Sequence, residues 1–260
     1  MLASGMATAA PLHLAGLYRL QGKLDQAEPL FREVLKSRTA LLGGDHLETL
    51  TASNSLALTY LAQGKYDQAE PVFAATARGL RAKFGLGDQR TQASTQSLIE
   101  CYARLGRSAE AESLCRELAD HWKRTAGAAS QPYALALAAL GGSLLGQKKW
   151  AEAETTLREC LAIAERGAPR AWRTFDVKSL LGASLVGQAR YGEAQPLLLA
   201  GYEGLKEREA MIPASSKNRL PEALERLVQL YDATGQKDNA DEWRKKLGET
   251  NAAAKPPAKP

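Results

Sequence analysis

The stretch QGKLDQAEPLF at residues 21–31 returns as QGKYDQAEPVF at residues 63–73, with only two positions changed. The alanine of this motif recurs through the chain at intervals of 42, 42, 42, 41 and 46 residues. A period of this size is typical of repeat proteins, in which each unit is one supersecondary structure that stacks on its neighbours. The six anchor alanines are Ala27, Ala69, Ala111, Ala153, Ala194 and Ala240.

The same residue types recur around each anchor alanine. A leucine stands thirteen residues before it in all six copies, Tyr or Leu stands nine before it, and glycine stands five before it in four copies. The leucine and the Tyr or Leu that follows it lie four residues apart, on one face of a first helix. The glycine lies where that helix ends and the chain reverses, a position that favours positive φ. The anchor alanine lies early in a second helix, where its small side chain lets the first helix approach closely.

Each copy is therefore predicted to be an αα-hairpin with an apolar side that stacking covers. The predicted fold is all-α, a right-handed superhelical solenoid of six hairpins. We expect a short amino-terminal extension at residues 1–8, the solenoid at 9–248, and a disordered, low-complexity tail at 249–260. The predicted hairpins cover residues 9–42, 51–84, 93–125, 132–166, 175–210 and 220–248.

Composition excludes several classes of protein. The chain has 260 residues, is 45% hydrophobic and carries a net charge of +5, and its 34 basic and 29 acidic residues are interspersed. Without a basic stripe, and with few aromatic residues, nucleic-acid binding is not expected. The three cysteines form no CxxC pair, which favours a reducing compartment. No signal peptide or long apolar run is present, so we expect a cytoplasmic protein without a membrane span.

The recurring Leu, Tyr, Gly, aromatic and Ala positions resemble the tetratricopeptide repeat (TPR) signature. The units are about eight residues longer than the usual 34, as in the kinesin light chain-like subclass, and LLGGDHLETLTASNSLALTYLAQGKYDQAEPVF at 41–73 looks like one such unit. Residues 171–209 and 219–235 are similar to the carboxy-terminal TPR region of large bacterial serine/threonine protein kinases. HEAT or armadillo arrays, with units of about 40–47 residues, are the alternative architecture, and the short turn in QGKLDQA favours TPR.

Motifs that suggest chemistry have simpler interpretations. GGSLLGQKK at 141–149 approaches a phosphate-binding loop, but its equivalent in the next copy, GASLVGQAR at 182–190, assigns the pattern to the repeat. The three histidines have no partner at ligand spacing, so no metal site is expected; we expect His46 to end a helix.

For Cys101 and Cys115, on the two helices of one hairpin, burial as small hydrophobes is favoured over a redox pair. With no catalytic constellation and no kinase motif, the chain is predicted not to be an enzyme and to need no cofactor.

The resemblance implies a binding surface. In this class, first-helix residues 18, 15, 11, 8 and 7 positions before the anchor face the concave side. Amide side chains there can pair with a peptide backbone, and Arg can bind a carboxylate. The apolar positions suit a helix or an apolar peptide. The alternative for each single position is a solvated side chain or one packed between repeats. The polar positions are Arg19, Asn54, Gln96, Glu100, Arg104, Asp176 and Ser179; the apolar ones are Leu135, Ala138, Leu145, Ala183 and Val186; copy six is acidic with Glu222, Glu225 and Asp232.

The expected function is a non-enzymatic interaction scaffold that holds a peptide or protein face in its concave groove. Self-association is a further expectation. The alternative is the regulatory or dimerising TPR arm of a serine/threonine protein kinase whose catalytic domain is not in this chain.

Overall fold

The computed structural model describes residues 2–213 and 216–253, which form twelve α-helices, a short 3-10 helix and no strand. The prediction of an all-α chain of six hairpins is confirmed. Five of the hairpins show direct packing of their two helices, and the third shares their turn geometry. The helices are α1 Leu2–Leu20, α2 Leu24–Leu42, α3 Leu47–Ala62, α4 Tyr66–Phe84, α5 Gln89–Arg104, α6 Ser108–Thr125, α7 Gln131–Gly146, α8 Trp150–Gly167, α9 Trp172–Gly187, α10 Tyr191–Glu207, α11 Arg219–Ala233 and α12 Lys237–Ala253, with the 3-10 helix at Glu209–Met211.

The chain divides into two compact units, residues 1–114 and 115–260, and α6 runs across the boundary. The core of the first unit is built around Phe31, Leu56, Tyr60 and Phe73. The second unit has a core around Leu198 and Leu227 and a further cluster around Leu205. No helix of the described segments has the length and apolar character that crossing a bilayer requires.

The recurring apolar positions are buried as predicted. All six anchor alanines are at most 1% exposed. The leucine thirteen residues before the anchor is at most 5% exposed in copies two to six, whereas Leu14 of copy one is 42% exposed. Four residues after the anchor, Phe31 and its equivalents in copies two to five are at most 2% exposed. In copy six this position is Arg244, which forms ion pairs with Asp232 and Asp241 instead.

The turn inside every hairpin has the same geometry. In copy one, Gly22 has a φ of 72° and the Lys23 amide donates to the carbonyl of Tyr18 at 2.8 Å. This is the Schellman motif that ends helices at a left-handed residue. Copies four and five lack the glycine but keep the conformation, because Lys148 has a φ of 60° and Ala189 a φ of 58°. The hairpin therefore imposes the left-handed conformation even on residues that disfavour it.

First helices begin earlier than predicted in copies two and three. The expected starts were 51 and 93, but α3 begins at Leu47 and α5 at Gln89. Link residues act as N-caps: His46 Nδ1 accepts the Glu48 amide at 3.3 Å, and Asp88 accepts the Arg90 amide at 3.0 Å. Such caps satisfy amides that a helix start leaves unpaired, so the helix extends into the link.

The two ends of the chain also differ from the expected boundaries. Residues 2–8, expected to form an extension, belong to α1, and α12 continues through 249–253, where the tail was expected. The remainder of that tail, 254–260, lies outside the described residues.

Adjacent hairpins are joined by a recurring ion pair that the sequence analysis missed. The glutamate after the anchor alanine binds the basic residue four positions before the next anchor: Lys65 Nζ lies 2.7 Å from Glu28, and Arg190 Nη1 lies 2.7 Å from Glu154. Arg107 and Glu70 form the equivalent pair at 3.5 Å. These glutamates are only 13–19% exposed at the side chain, so the pairs are better shielded than ordinary surface salt bridges. The sequence contains a signal for this pair: a glutamate directly follows the anchor alanine of one hairpin, and a lysine or arginine stands four residues before the anchor alanine of the next.

Candidate functional site

The first-helix face of residues 1–114 carries five of the predicted binding residues. Asn54 on α3 and Arg19 on α1 are half-buried, and Asn54 Oδ1 and Arg19 Nε are buried without a hydrogen-bond partner. Gln96 on α5 is exposed. Glu100 and Arg104, one turn apart on α5, pair with each other at 3.7 Å, so these two charges partly neutralise one another.

A cavity of about 190 Å³ opens beside Asn54, between α3 and α5. Its lining is mainly apolar and includes Leu50 of α3, Leu80 of α4 and Ala93 of α5. Thr51 also lines it, but its hydroxyl already donates to the Leu47 carbonyl at 2.8 Å. Asn54 lines the cavity as well, and its Oδ1 is buried without a hydrogen-bond partner.

Arg90 lies at the rim of the cavity and is held in place on two sides. Its Nε and Nη2 donate to Asp88 at 3.0 and 2.8 Å, and its guanidinium stacks on the ring of Phe84 at 3.9 Å. The hydrogen bond from Arg90 lowers the pKa of Asp88 to about 2, so the carboxylate stays charged at neutral pH. The rim cation is thus already paired with a carboxylate, which favours an uncharged ligand group at this point.

The sequence analysis named only Asn54 among the residues of this cavity. Thr51 and Ala93 both lie eighteen positions before their anchors and so satisfy the rule for the concave face. The sequence analysis did not include them, although the register of the first helix would have identified both. Leu80 lies on the second helix α4, and Arg90 lies at the start of α5. Neither residue occupies one of the first-helix positions that were predicted to face the concave side.

In residues 115–260 the predicted apolar strip is accessible. Leu135 on α7 is 41% exposed, and the other predicted positions of the strip on α7 and α9 are half-buried. Gly142 lies among them, and an added Cβ there would meet nothing within 4 Å. The strip consists of small and aliphatic side chains: Leu135, Ala138, Leu145, Ala183 and Val186.

Asp176 and Ser179 do not present polar atoms to a ligand, which corrects the expectation for copy five. Asp176 is 7% exposed and Ser179 is fully buried. Arg226 of α11 covers them and donates to the Ser179 hydroxyl at 3.1 Å, while Arg219 lies 3.7 Å from Asp176. Burial raises the pKa of Asp176 and lowers the pKa of Arg226. Long arginine side chains from the neighbouring helix therefore fill this part of the face.

Two of the three acidic positions of copy six are also engaged, whereas Glu225 is exposed. Glu222 accepts hydrogen bonds from Asn218 at 2.6 Å and from Arg219 at 3.2 Å. Asp232 accepts both bonds from Arg244, at 2.6 and 2.7 Å. Of the three acidic positions of copy six, two are therefore paired with basic side chains, and Glu225 is an exposed carboxylate.

The motifs that suggested other chemistry have structural roles. Residues 141–146 of the glycine-rich stretch lie inside α7, and Gly141 packs directly on Leu157. All three cysteines are buried, and none of them forms a disulfide. Burial raises the pKa of Cys101 and of Cys160 to about 12, so these thiols are not poised for redox chemistry. Among the described residues, no group of three His, Cys, Asp or Glu side chains is arranged to hold a metal ion.

Several solved structures resemble this chain in fold. A kinesin light chain-like protein of Podosopora anserina, built of nearly identical TPR-like repeats, matches with a TM-score of 0.66 at 18% identity, over 77% of this chain and 95% of that one. BtubC (BKLC) of P. vanneervenii matches with a TM-score of 0.60 at 16% identity, over 91% and 95% of the two chains. A Rap protein complexed with Competence and Sporulation Factor matches with a TM-score of 0.65 at 14% identity, over 95% and 77%.

At these identities the structures show the fold alone, and no curated protein matches the sequence. The sequence model of the tetratricopeptide repeat, however, matches residues 7–82 and 91–166, which is more than half of the chain. The resemblance to kinesin light chain-like TPR repeats is thereby confirmed. The chain belongs to the tetratricopeptide repeat family.

Proposed function

We propose that this protein binds an extended peptide, or an extended segment of a partner protein, on the first-helix face of residues 1–114. The cavity beside Asn54 carries the proposal, because it combines apolar walls with a buried, unpartnered acceptor. Small-ligand and peptide sites typically have this composition, with a few polar groups that fix orientation inside an apolar pocket.

The cavity fits a small aliphatic side chain. Leu50, Leu80 and Ala93 supply its apolar contacts, and the adjacent backbone amide of the ligand donates to Asn54 Oδ1. A buried acceptor without a partner is energetically unfavourable, so a ligand that donates to it relieves that cost on binding. Since the cavity lies between helices that are already ordered, binding costs mainly the ordering of the ligand.

The fold supports this proposal. TPR proteins bind protein or peptide partners, and one structural relative was solved as a Rap protein complexed with Competence and Sporulation Factor. The mixed surface charge favours a protein partner over nucleic acid. Binding rather than catalysis is proposed, because the polar groups at the cavity are an amide, a hydroxyl and a neutralised guanidinium. The kinase-arm alternative remains a hypothesis from sequence resemblance.

Selection of peptides from a displayed random library against the full chain tests the proposal, followed by calorimetric titration of the enriched peptides. Asn54→Ala should weaken their affinity about tenfold, the effect of one lost buried hydrogen bond. Ala93→Met, which fills the cavity, should weaken it at least as much. Gln68→Ala, at an exposed position on the second helix α4, is the matched control and should leave affinity unchanged.

If no peptide is enriched, or if the enriched peptides bind both cavity variants as tightly as the wild type, the proposed site is wrong. Circular dichroism of each variant confirms that helical content is retained.

A further inference from the structure

The apolar strip of residues 115–260 has no part in the peptide site beside Asn54. It lies on α7 and α9, two first helices that pack against each other. Residues 131–146 of α7 contain no Asp, Glu, Lys or Arg, and neither do residues 179–187 of α9. A helix without charge is normally covered on every side, yet Leu135 of the strip is 41% exposed. An accessible apolar surface of this kind marks an interaction site.

The strip offers no hydrogen bond to a ligand, because its side chains are aliphatic. Ser179, four residues before Ala183 on α9, is fully buried and already accepts a hydrogen bond from Arg226. An extended peptide would therefore leave the backbone groups that face the strip unpaired. A helix pairs its own backbone groups internally and loses nothing by lying on such a surface. The strip thus selects a helical occupant, in contrast to the cavity beside Asn54.

The shape of the strip also fits a helix. Leu135, Ala138, Gly142 and Leu145 follow one another at the spacing of one helix face. They span about 15 Å, or roughly three helical turns, at a rise of about 1.5 Å per residue. The two central residues are small, and an added Cβ at Gly142 would meet nothing within 4 Å. A partner helix can therefore approach closely at the centre and place aliphatic side chains between the two leucines.

Glu225 specifies the charge of the occupant. It lies on α11, which packs against α9, fifteen positions before its anchor, where α7 has Ala138. Glu225 is exposed, and within the described segments it forms no ion pair. A lysine or arginine on the flank of a docked helix would complement this carboxylate, whereas an acidic flank would be repelled.

We propose that the apolar strip on α7 and α9 binds an amphipathic helix of a partner protein, with an aliphatic face and with Lys or Arg on the flank next to Glu225. This surface differs from the cavity beside Asn54 in its residues and in the conformation of its ligand. The two sites are therefore independent of each other.

Selection from a displayed library of helical peptides, with a fixed face of leucine and alanine and randomised flanks, tests the proposal. The enriched peptides should carry an excess of Lys or Arg on one flank. In calorimetric titration, Gly142→Glu should weaken their affinity about tenfold or more, because it places a carboxylate in the apolar strip. The variant should fold, since its Cβ has open space and glutamate favours a helix more than glycine does. Gly192→Glu on α10, where an added Cβ also has open space, is the matched control and should bind like the wild type.

A second pair of variants tests the charge. Glu225→Lys should weaken binding of the basic helices about threefold or more, and added salt should reduce the difference. Glu203→Lys makes the same charge change at an exposed position of α10 and should have no effect. Asn54→Ala should leave helix binding unchanged, and Gly142→Glu should leave the binding of extended peptides unchanged, so that failure of one site is distinguishable from failure of the other.

The proposal is wrong if no helical peptide is enriched, if the enriched flanks are not basic, or if Gly142→Glu binds the enriched helices as tightly as the wild type. Sedimentation equilibrium tests a further occupant. A wild type that self-associates and that Gly142→Glu converts to a monomer would assign the strip to a second copy of the chain, which also overturns the proposal. Circular dichroism of each variant checks that helical content is retained.

Discussion

Replacing Ala189 by glycine is expected to stabilise the protein. Ala189 has a φ of 58° in the turn between α9 and α10. An L-residue in this conformation costs about 1–2 kcal/mol, because its Cβ approaches the following carbonyl oxygen. Glycine removes this strain but makes the unfolded chain more flexible, which offsets about 0.5–1 kcal/mol. The net gain in the free energy of unfolding should be about 0.5–1 kcal/mol.

Two matched substitutions separate the turn geometry from other effects. Gly64→Ala places alanine at the equivalent position of copy two, where φ is 74° and an added Cβ meets nothing within 4 Å. The backbone alone therefore determines its effect, a loss of about 0.5–1 kcal/mol. Ala183→Gly makes the same exchange as Ala189→Gly in the interior of α9, where it should destabilise by about 0.5–1 kcal/mol.

Urea and thermal unfolding followed by far-ultraviolet circular dichroism measure these effects. Ala189→Gly should raise the urea midpoint without changing the slope, and should raise Tm by about 1–4 °C for a chain of this size. If Ala189→Gly and Ala183→Gly both lower the midpoint by similar amounts, the positive φ of Ala189 does not strain the turn and the reasoning fails.

Three further predictions concern packing, pH and thiol reactivity. Gly141→Ala should lower the free energy of unfolding by about 1–3 kcal/mol, since the added Cβ would lie 2.5 Å from the buried Leu157. In the same unfolding assay the neighbouring Gly142→Ala should stabilise the chain slightly, because an added Cβ there has open space around it. The hydrogen bond from Lys65 lowers the pKa of Glu28 in the folded chain. The stability that the Glu28 carboxylate contributes is therefore fully present above the unfolded pKa of about 4.3 and is lost as the pH falls through the lower folded pKa. Glu28→Gln should accordingly lose less stability on acidification than the wild type does. The three buried cysteines should resist a thiol reagent at mildly alkaline pH in the native chain and react fully in denaturant; rapid labelling of the native chain would contradict their burial.

The sequence predicted the hairpins because their signals are local. The leucine, ring, glycine and alanine positions all act within one hairpin, and the turn at Gly22 follows from them. Helix starts were less accurate, because whether His46 or Asp88 caps a helix depends on side-chain geometry that periodicity does not encode.

The candidate site was less predictable than the fold. Asn54 was found because its position follows the register of the first helix. Asp176 was misjudged because the side chain that buries it, Arg219 or Arg226, comes from a helix more than forty residues away. The register of a helix predicts the direction in which a side chain points. Whether that side chain is exposed to solvent also depends on the length of the side chains on the neighbouring helix.

The ion pairs between hairpins have an evolutionary consequence. Hairpins two, three and four each carry a glutamate directly after the anchor alanine and a basic residue four positions before it, as Glu70 and Lys65 do in copy two, whereas copy five has Gln195 in place of the glutamate. Loss or duplication of hairpin two, three or four would therefore rejoin a glutamate to a basic residue at the new junction. Changes in the number of modules are tolerated electrostatically, which gives this architecture a route to new lengths by recombination alone.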